Sequence, residues 1–447
     1  MILPEYSETK PSEFRGLSDV PAHWDVVRGR FFMQVNPPSP VLRKLKGDDE
    51  VSFVPMEAVG EYGGLSLDQT RVIADASSGF TEFQDGDVVV AKITPCFENG
   101  KAALAAGLLN GAALGTTELH VLRAQSKLHR GFLFYIAISD RFQKLGESEM
   151  YGAGGQKRVP PEFCKDFPMP LPPFAEQEQI AAFLDWKTGQ IDKLIARKKA
   201  LLEKLKEKRI AVITQAVTQG LNPAAAMRDS GIPWLGKVPQ HWRVIPLGFL
   251  MTMSGGMTPS MANSDYWDGD IPWVTPKDMK LARISDSIDH LTETALMETS
   301  IALIPLNAVL IVVRGMILAH SFPTAINEVP VTINQDMKAL RCNEGLEVAY
   351  LFWCLNGFAK VLSNLAQESA HGTRKMETET LKKFCIPVPP VNEQVAITAA
   401  LQTHLHRLDQ LADATESTVD RLTEYRAALI TAATTGKIDV RNVVVPA

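Results

Sequence analysis

Two short segments of this chain contain the polar and basic residues that are best suited to bind a polyanion. Residues 156–158 follow a glycine-rich turn, and residues 373–375 follow a glycine at the equivalent place in the second half of the chain. Flexible basic loops can reach phosphates, and Arg or Gln can read base edges through paired hydrogen bonds. Recurrence in both halves supports contact with DNA as strongly as the alternative, which is a solvated loop before each helix. The candidates are Gln156, Lys157, Arg158, Thr373, Arg374 and Lys375.

Four further cations lie beside turns or strand-like runs. Lys92 and Lys101 flank a loop that contains Pro95 and Gly100. Lys277 and Arg314 stand next to strand-like runs in the second half. Each could neutralise a phosphate, with an ordinary surface charge as the alternative. All four are therefore further candidate DNA contacts.

The chain shows no convincing catalytic motif. Residues 36–39 read Asn-Pro-Pro-Ser, close to the Asn-Pro-Pro-aromatic motif of amino-methyltransferases. Ser39 stands where an aromatic ring would stack on a flipped base, so a proline-rich turn is the better interpretation. The sequence contains no GxxxxGK[ST] phosphate loop and no spacing typical of metal ligands. We predict no catalytic residue, no metal site and no cofactor in this chain.

Two Glu-Gln pairs follow proline-rich segments at the predicted starts of long helices. The pairs are Glu176-Gln177 and Glu393-Gln394. A carboxylate stabilises the first turn of a helix, and contact with a partner protein is the functional alternative. Trp24 and Trp242 open the two halves in Pro-x-His-Trp, where buried packing is favoured over base stacking.

The elements that must position these residues occur twice. Pro-x-Pro-Pro-x-x-Glu-Gln begins at Pro170 and again at Pro387. A long helical pattern follows each copy, and at 1.5 Å per residue each helix would extend about 65 Å. A stripe of apolar residues at heptad spacing predicts a coiled-coil seam in each helix. One position holds Leu184, Ile191, Lys198, Leu205 and Val212, then Leu401, Leu408, Thr415, Leu422 and Leu429. The other holds Ile180, Lys187, Leu194, Leu201 and Lys208, then Ile397, His404, Leu411, Thr418 and Tyr425.

The pattern predicts two similar halves, each a mixed globular domain followed by a long helix. Strand-like runs and a helical pattern over 132–145 indicate an α/β (mixed α+β) class. Two copies of one helix most economically bury their stripes against each other, antiparallel and with approximate two-fold symmetry. We predict globular domains at 1–169 and 222–386, long helices at 170–221 and 387–437, and a tail at 438–447.

The composition is ordinary for a globular protein. The chain has 447 residues, 45% hydrophobic and 22% charged, with a net charge of −5. That net charge is not typical of a nucleic-acid-binding protein. A local basic face is still possible if acidic residues elsewhere in the chain offset its charge. Five scattered cysteines without CxxC spacing, and no apparent signal peptide or membrane span, predict a cytoplasmic protein with reduced thiols.

Taken together, the repeated helix entries and Pro-x-His-Trp resemble the specificity subunit of type I restriction–modification systems. The stretches at residues 92–101 and 334–338 add to this resemblance, which covers nearly the whole chain. It implies two target-recognition domains, each reading one half of a bipartite duplex DNA target. It also implies that the two helices set the unspecified spacer between the half-sites.

The resemblance further implies that this chain is not itself the enzyme. Two methylation subunits would dock on it and bring S-adenosylmethionine chemistry. Two restriction subunits, in a full system, would bring ATP- and Mg²⁺-dependent cleavage. Base-reading residues vary within such a family, so none can be assigned by motif.

Two rival hypotheses come from other classes. A protein-interaction scaffold without a DNA role would suit the acidic net charge. A self-sufficient methyltransferase or nuclease would need the catalytic motifs that the sequence lacks.

Overall fold

The computed structural model describes residues 3–14, 16–17, 19–75, 79–153, 155–368 and 372–446. The chain divides into two compact units, which we call the first unit (residues 1–199 and 417–447) and the second unit (residues 200–416). Each unit therefore combines one globular domain with parts of both long helices. The mixed α/β class predicted from the sequence is confirmed.

The first unit is built from short strands and three short helices that precede a long one. Its strands are β1 (Thr9–Pro11), β2 (Asp19–Pro21), β3 (Asp25–Arg28), β4 (Met33–Val35), β5 (Glu50–Val54), β6 (Thr70–Val72), β7 (Thr81–Gln84), β8 (Val88–Ala91), β9 (Ala102–Leu104), β10 (Ala112–Gly115), β11 (Leu119–Ala124) and β12 (Pro168–Leu171). Its helices are α1 (Arg130–Ala137), α2 (Asp140–Ser148), α3 (Pro161–Asp166) and the beginning of α4 (Phe174–Gln219). The 3-10 turns are Gly29–Phe31, Leu42–Lys44, Met56–Ala58, Ile73–Asp75 and Leu109–Gly111.

The second unit follows the same plan with a few additions. Its strands are β13 (Met227–Asp229), β14 (Lys237–Pro239), β15 (Arg243–Pro246), β16 (Met251–Gly255), β17 (Trp267–Val274), β18 (Arg283–Ile284), β19 (Asp289–Leu291), β20 (Val309–Val312), β21 (Arg314–Gly315), β22 (Thr324–Asn327), β23 (Thr332–Ile333), β24 (Met337–Cys342), β25 (Gln367–Glu368), β26 (Arg374–Lys375) and β27 (Cys385–Val388). Its helices are α5 (Leu247–Leu250), α6 (Glu293–Glu298), α7 (Val348–Gly357), α8 (Ala359–Leu365), α9 (Thr378–Lys383) and the first part of α10 (Val391–Thr434), with 3-10 turns at Ser264–Tyr266 and Met316–Ala319.

Sheet order shows that the two domains are repeats of one design. In the first unit the larger sheets run β6-β5-β10-β7 and β4-β11-β8-β9. In the second unit the corresponding sheets run β19-β17-β23 and β16-β24-β20-β22-β18. The parallel pairs β5–β10 and β17–β23 occupy the same place, as do the antiparallel pairs β3–β12 and β15–β27.

The helical pattern at 132–145 folds as two helices. The Ser139 hydroxyl accepts a hydrogen bond from the Phe142 backbone N–H at 3.3 Å, which caps α2 and separates it from α1. Serine is a favoured N-cap because its oxygen satisfies a backbone donor of the first turn. A short polar side chain therefore divides a pattern that reads as one continuous apolar face.

Each unit encloses its helices within its own core. Trp24 is 0% exposed in the first unit and packs in a cluster that includes Ile180 of α4 and Leu429 of α10. Trp242 is 1% exposed in the second unit, in a cluster that includes Val217 of α4 and Leu401 of α10. The predicted buried packing of both tryptophans is confirmed.

The two long helices run antiparallel within each unit. In the first unit Asp192 of α4 pairs with Arg426 of α10, and in the second unit Arg209 pairs with Asp409. Asp192 and Arg209 are 17 residues apart in α4 (209 − 192). Their partners Arg426 and Asp409 are also 17 residues apart in α10 (426 − 409), in the opposite direction. The long antiparallel helices predicted from the heptads are confirmed.

The second of the two predicted seam positions is fully buried at the start of each long helix, where Ile180 and Ile397 are 0% exposed. The stripe through Leu184, Ile191 and Leu429 is buried. In the second stripe, however, Leu194 is 44% exposed and Leu411 is 47% exposed. At these two places, and at His404 and Tyr425, the buried or half-buried residue is the next one along the helix, namely Ile195, Ala412, Leu405 and Arg426. Residues at i+3 and i+4 both lie beside residue i on a helix, so the apolar pattern alone could not choose between them.

The predicted C-terminal tail packs into the first unit. The Asp439 backbone N–H donates to the Pro4 carbonyl at 2.8 Å, and the Arg441 guanidinium lies 5.0 Å from the Tyr6 ring centroid. Gln179 of α4 donates to the carbonyl groups of Val440 and Val443 at 3.1 and 2.7 Å. Both ends of the described chain are therefore fastened to the same domain.

Candidate nucleic-acid interface

In the first unit, three segments meet where the buried strand β8 ends. The Lys92 N–H donates to the Glu118 carbonyl at 2.9 Å, and the Val159 N–H donates to the Lys92 carbonyl at 2.8 Å. Ile93 also forms a bridge with Arg158. All four residues of β8 are apolar and buried, so the first polar side chain on this segment is that of Lys92, directly after the strand. The fold thus brings the predicted residues Lys92, Lys157 and Arg158 to one edge.

Arg158 is held at this edge by an acidic neighbour. Its Nε lies 2.9 Å from Glu118 Oε2 and its Nη2 lies 2.8 Å from Glu118 Oε1. These charge-assisted bonds lower the pKa of Glu118 below its ordinary value and raise that of Arg158. The paired guanidinium can still attract a phosphate, but Glu118 offsets much of its charge.

The other candidate residues of the first loop are more exposed to solvent than Arg158. Gln156 and Lys157 are exposed, and the Lys157 carbonyl accepts a hydrogen bond from the Thr94 N–H at 3.0 Å. Gly154 of the predicted glycine-rich turn lies outside the described residues. The Lys157 ammonium is therefore the best-placed cation of this loop for a phosphate.

The second unit repeats this edge with three cations of its own. The Val313 N–H donates to the Asp336 carbonyl, and the Met376 N–H donates to the Val313 carbonyl, both at 2.8 Å. Strand β21 pairs with β26 so that Arg314 lies opposite Lys375. Three of the predicted residues, Arg314, Arg374 and Lys375, thus lie on one small sheet, and Thr373 immediately precedes it.

In the second unit, too, acidic side chains form ion pairs with the cations and partly neutralise their charge. Arg314 Nη1 lies 3.8 Å from Asp336 Oδ1, and Lys375 Nζ lies 2.8 Å from Glu377 Oε1. These side chains are about half exposed, with 49% for Arg314 and 42% for Lys375. Exposed pairs of this kind are weak and readily exchanged, so both cations remain available to a strong anion.

Two predicted contacts lie apart from these clusters. Lys101 Nζ donates to the Met56 carbonyl at 3.1 Å, so its ammonium fastens a loop of the first unit. Lys277 is exposed in the loop after β17, and its N–H donates to Thr275 Oγ1 at 3.3 Å. Lys277 keeps the exposure that a phosphate contact needs, whereas Lys101 is better explained by the fold.

An open cleft of about 620 Å³ adjoins the first edge. Lys92, Arg43 and Thr117 line it together with Glu82 and Asn36. The sequence patterns do not indicate Arg43 or Thr117 as DNA contacts. Arg43 lies in no repeated motif, and Thr117 stands in a strand-like run, so only their position beside Lys92 draws attention to them.

The Asn-Pro-Pro-Ser segment has an architectural role at this cleft. Asn36 Oδ1 accepts the Val121 N–H at 2.9 Å and so fastens the end of β4 to β11. Ser39 is fully buried, and its hydroxyl accepts the Leu42 N–H at 3.1 Å. These contacts account for the segment as a turn, in agreement with the interpretation preferred from the sequence.

The Glu-Gln pairs predicted as partner contacts are mostly internal. Gln177 and Gln394 are 0% exposed, and their carboxamides bind backbone groups of the loops that precede α1 and α7. Glu176 is 7% exposed and accepts hydrogen bonds from Tyr6 OH at 2.6 Å and Trp24 Nε1 at 3.0 Å. Buried side chains cannot contact a partner protein, so these three residues stabilise the fold of their own domains. Glu393, 27% exposed and 2.9 Å from His241, is the more accessible member of the set.

Within the part of the chain that the structure describes, no cluster of three or more His, Cys, Asp or Glu side chains could hold a metal ion. All five cysteines are unpaired thiols. Among the described helices, none has the length and apolarity needed to cross a membrane.

Comparison with known proteins places this repeated architecture in one family. The family model described as type I restriction modification DNA specificity domain matches residues 63–207 and 239–419. The EcoAI and EcoR124I/EcoR124II type I restriction enzyme specificity subunits of Escherichia coli are 41% identical over 181 residues and 35% identical over 187 residues. Those matches cover 40% and 42% of this chain but 29% and 45% of the relatives, so this chain aligns with less than half of either protein.

More distant relatives match along the full length. The MjaVIII type I restriction enzyme specificity subunit of Methanocaldococcus jannaschii is 22% identical, with 99% of both chains covered. A solved structure of a type I R-M system matches with a TM-score of 0.76 and 19% identity, covering 94% of this chain and 99% of its own. The HsdS subunit from Thermoanaerobacter tengcongensis matches with a TM-score of 0.54 and 20% identity, covering 94% and 98%. At these identities the structural matches establish the fold.

Proposed function

Because this chain belongs to the family of type I restriction-modification DNA specificity domains, we propose that it is the DNA-recognition subunit of a type I restriction–modification complex. Each unit would bind one half of a bipartite duplex target, and the long helices would set the spacer. The observation that carries this proposal is the cation-bearing edge repeated at one position of both domains. Lys92, Lys157 and Arg158 form it in the first unit, and Arg314, Arg374 and Lys375 form it in the second.

The repeated edge suits duplex DNA for a physical reason. Phosphate contacts orient a protein on DNA, and side chains beside them then reach base edges in a groove. Two domains of one design bind two separate half-sites, whose spacing is set by the protein between them. The net charge of −5 does not oppose this, because the cations are gathered locally.

We further propose that the chain is not itself the catalyst. Two methylation subunits would supply S-adenosylmethionine chemistry, and two restriction subunits would supply ATP- and Mg²⁺-dependent cleavage, in the cytoplasm. The names of the relatives, specificity subunits of type I restriction enzymes, support this division of labour. Of the four residues predicted to meet a partner, Glu393 keeps the accessibility that such a contact needs.

The decisive test is genome-wide detection of methylated bases in the native host with and without this gene. We expect a two-part motif with a fixed gap to lose methylation on deletion. Unchanged methylation would contradict the proposal and favour a protein scaffold without a DNA role. Exchange of residues 1–169 for the equivalent domain of a relative should then alter one half-site and leave the other unchanged.

A further inference from the structure

We propose that Arg426 is a positioning residue, which holds the cation-bearing edge of the first unit in place on the long helices and thereby limits the gap between half-sites that the protein accepts. This inference rests on the DNA-recognition function proposed above. It is drawn from a series of contacts that leads from the helices through Tyr62 to the segment after Lys92. Among the described residues, the equivalent arginine of the second unit, Arg209, lacks this arrangement.

Arg426 joins three parts of the first unit through one side chain. Its ion pair with Asp192 connects α10 to α4. Its Nη2 also donates to the Tyr62 carbonyl at 3.2 Å, and the guanidinium carbon lies 5.5 Å from the centre of the Tyr62 ring. The Arg426 side chain is largely buried, so water competes little for these charge-assisted bonds. The loop that carries Tyr62 is therefore held firmly against both helices.

The Tyr62 loop is a tight turn with little freedom of its own. The Gly60 N–H donates to the Gly64 carbonyl at 3.0 Å, which closes the turn. Tyr62 has a φ of 58°, in the left-handed region that residues other than glycine rarely adopt. Such a conformation persists where neighbouring contacts maintain it, and here Arg426 contacts both the carbonyl and the ring. The turn can therefore transmit the position of the helices to the domain.

The Tyr62 turn is bonded in its turn to the segment that forms the edge. The Tyr62 N–H donates to the Gly100 carbonyl at 2.8 Å. Gly100 lies near the end of residues 92–101, the segment that leaves β8 at the cation-bearing edge. Near the start of this segment the Thr94 N–H donates to the Lys157 carbonyl at 3.0 Å. A short series of backbone bonds thus connects the arginine on α10 with two cations of the edge.

The Arg426 contact is distant from the buried attachment at the start of α4, where Trp24 donates to Glu176. Asp192 lies 16 residues after Glu176 (192 − 176), which is about 24 Å along the helix at 1.5 Å per residue. An attachment at this distance opposes pivoting of the domain about the start of α4. Arg426 therefore acts on the orientation of the domain more than on its folding.

An open cleft beside the Arg426 contact leaves room for such a movement. Its volume is about 540 Å³, and its walls include Gly63 of the turn and Gly189 and Lys199 of α4. A Cβ atom placed on Gly189 would meet nothing within 4 Å. Tyr135 donates to Asp185 at 2.7 Å nearer the start of α4. Beyond that bond, the Arg426 contacts oppose a movement that packing on this face of the helix does not block.

The second unit has the equivalent arginine without the equivalent contacts. Arg209 and Arg426 are 217 residues apart (426 − 209), the same separation as Pro170 and Pro387 (387 − 170). Arg209 pairs with Asp409, its side chain is 38% exposed, and this pair is its only hydrogen-bonded contact among the described residues. Arg209 thus has the same place in the repeat and the same helix partner but no domain loop bonded to it. It provides a matched control.

The test measures how strictly the complete complex selects the gap. The full chain, as wild type, R426A, Y62N or R209A, is assembled with its methylation subunits. Methylation rates are then measured on duplexes that carry the native two-part motif with the native gap, or with a gap one base pair longer or shorter. Asparagine tolerates the left-handed conformation of residue 62, so Y62N removes the ring contact and keeps the backbone bonds.

We expect the variants of the Tyr62 contact to accept altered gaps. The rate on the altered gaps, relative to the rate on the native gap, should rise about ten-fold in R426A, which corresponds to the loss of roughly one charge-assisted hydrogen bond. The rise should be smaller in Y62N, which loses only the ring contact. Both half-sites should stay the same, because the edge itself is not altered.

The ratio of rates separates positioning from stability. A variant that merely folds less well loses activity on all duplexes equally, so its ratio stays at the wild-type value. R209A should keep that ratio as well. An unchanged ratio in both R426A and Y62N would overturn the proposal, as would an equal rise in R209A, and Y62N alone decides if R426A does not assemble. Failure of the DNA-recognition function gives a different result, because the wild-type complex would then show no preference for any two-part duplex.

Discussion

Arg426 of α10 and Asp192 of α4 form a two-pronged ion pair within the first unit. Nε lies 2.9 Å from Oδ1, and Nη2 lies 3.3 Å from Oδ2. The same Nη2 donates to the Tyr62 carbonyl at 3.2 Å. The Arg426 side chain is only 11% exposed, so one buried guanidinium joins both long helices to a loop of the globular domain.

Replacement of Arg426 by alanine should therefore lower the stability of the first unit. Loss of a buried charged donor leaves the Tyr62 carbonyl and Asp192 without it, and we expect a cost of about 1–3 kcal/mol. The matched control is R209A, which removes the exposed pair with Asp409 at the corresponding register of the second unit and should cost about 0–1 kcal/mol. Urea unfolding of both variants measures this, and equal costs would contradict the anchoring role of Arg426.

The two His-Trp motifs should differ in how strongly they depend on their helix carboxylates. Glu176 accepts hydrogen bonds from Tyr6 OH and Trp24 Nε1, both buried, so E176A leaves two donors unsatisfied and should cost about 2–4 kcal/mol. Glu393 binds only the exposed His241 ring among the described side chains, and no described acceptor lies within reach of Trp242 Nε1. E393A should thus cost less than about 1 kcal/mol. Thermal unfolding of the two variants compares them, and a larger loss for E393A would refute this assignment.

Stability should depend on pH through His120. Its Nε2 donates to the Val159 carbonyl at 2.9 Å, its Nδ1 lies 3.2 Å from Asn36 Nδ2, and burial lowers its pKa below 6.5. A histidine whose folded pKa is depressed contributes stability above its unfolded pKa, and that contribution is lost as the pH falls from about 6.5 towards the folded pKa. The difference in unfolding free energy between wild type and H120Q should therefore shrink between pH 7.5 and pH 5. A difference that is constant over this range would show that His120 is not the titrating group.

Lys157 and Arg374 should contribute to DNA affinity without contributing to sequence preference. Each phosphate contact releases counterions, so K157A or R374A should reduce the slope of log affinity against log salt by about 0.9. K206A, on an exposed part of α4 and paired with Glu203, changes the charge equally and should leave the slope unaltered. Binding of the intact complex to target and non-target duplexes at several salt concentrations measures this. An unchanged slope in both edge variants would place the phosphate contacts elsewhere.

If the long helices set the spacer, lengthening both by one heptad should lengthen the spacer. Seven residues inserted after Ala200 in α4 and after Ser417 in α10 preserve the antiparallel register and add about 10 Å, or roughly three base pairs. The methylated motif should then keep both half-sites and gain about three unspecified positions. Four-residue insertions at the same places serve as a shorter comparison: they shift the heptad phase and locally unwind the paired helices, and they should lengthen the spacer by less than the heptad insertions do. Altered half-sites with an unchanged gap would disprove the ruler.

Features that depend on neighbours along the chain were predictable. The long helices, the buried tryptophans and the turn at Ser39 follow from spacing and residue type, because a helix or a turn is decided by residues a few positions apart. The internal repeat follows from direct comparison of the two halves. The start of each long helix lies within a few residues of its proline-rich entry, since proline tolerates the first turn of a helix.

Features that depend on contacts between distant residues required the structure. The sequence indicates that Arg158 is a cation of a flexible loop, but in the structure it is paired with Glu118, 40 residues away. The position of Glu176 in the sequence allows a contact with a partner protein, but in the fold Glu176 accepts a hydrogen bond from Trp24, 152 residues away. The second seam position is exposed at Leu194 and Leu411, in the middle of the two helices. Spacing and residue type were thus enough to predict the repeat, the elements and the basic segments. Contacts between distant residues set which face of each helix is buried and which polar side chains remain exposed. The reason is physical, because local patterns record the preferences of residues that are close in sequence. The ion-pair partner of a charged side chain, and the surface on which a heptad stripe packs, come from another part of the chain.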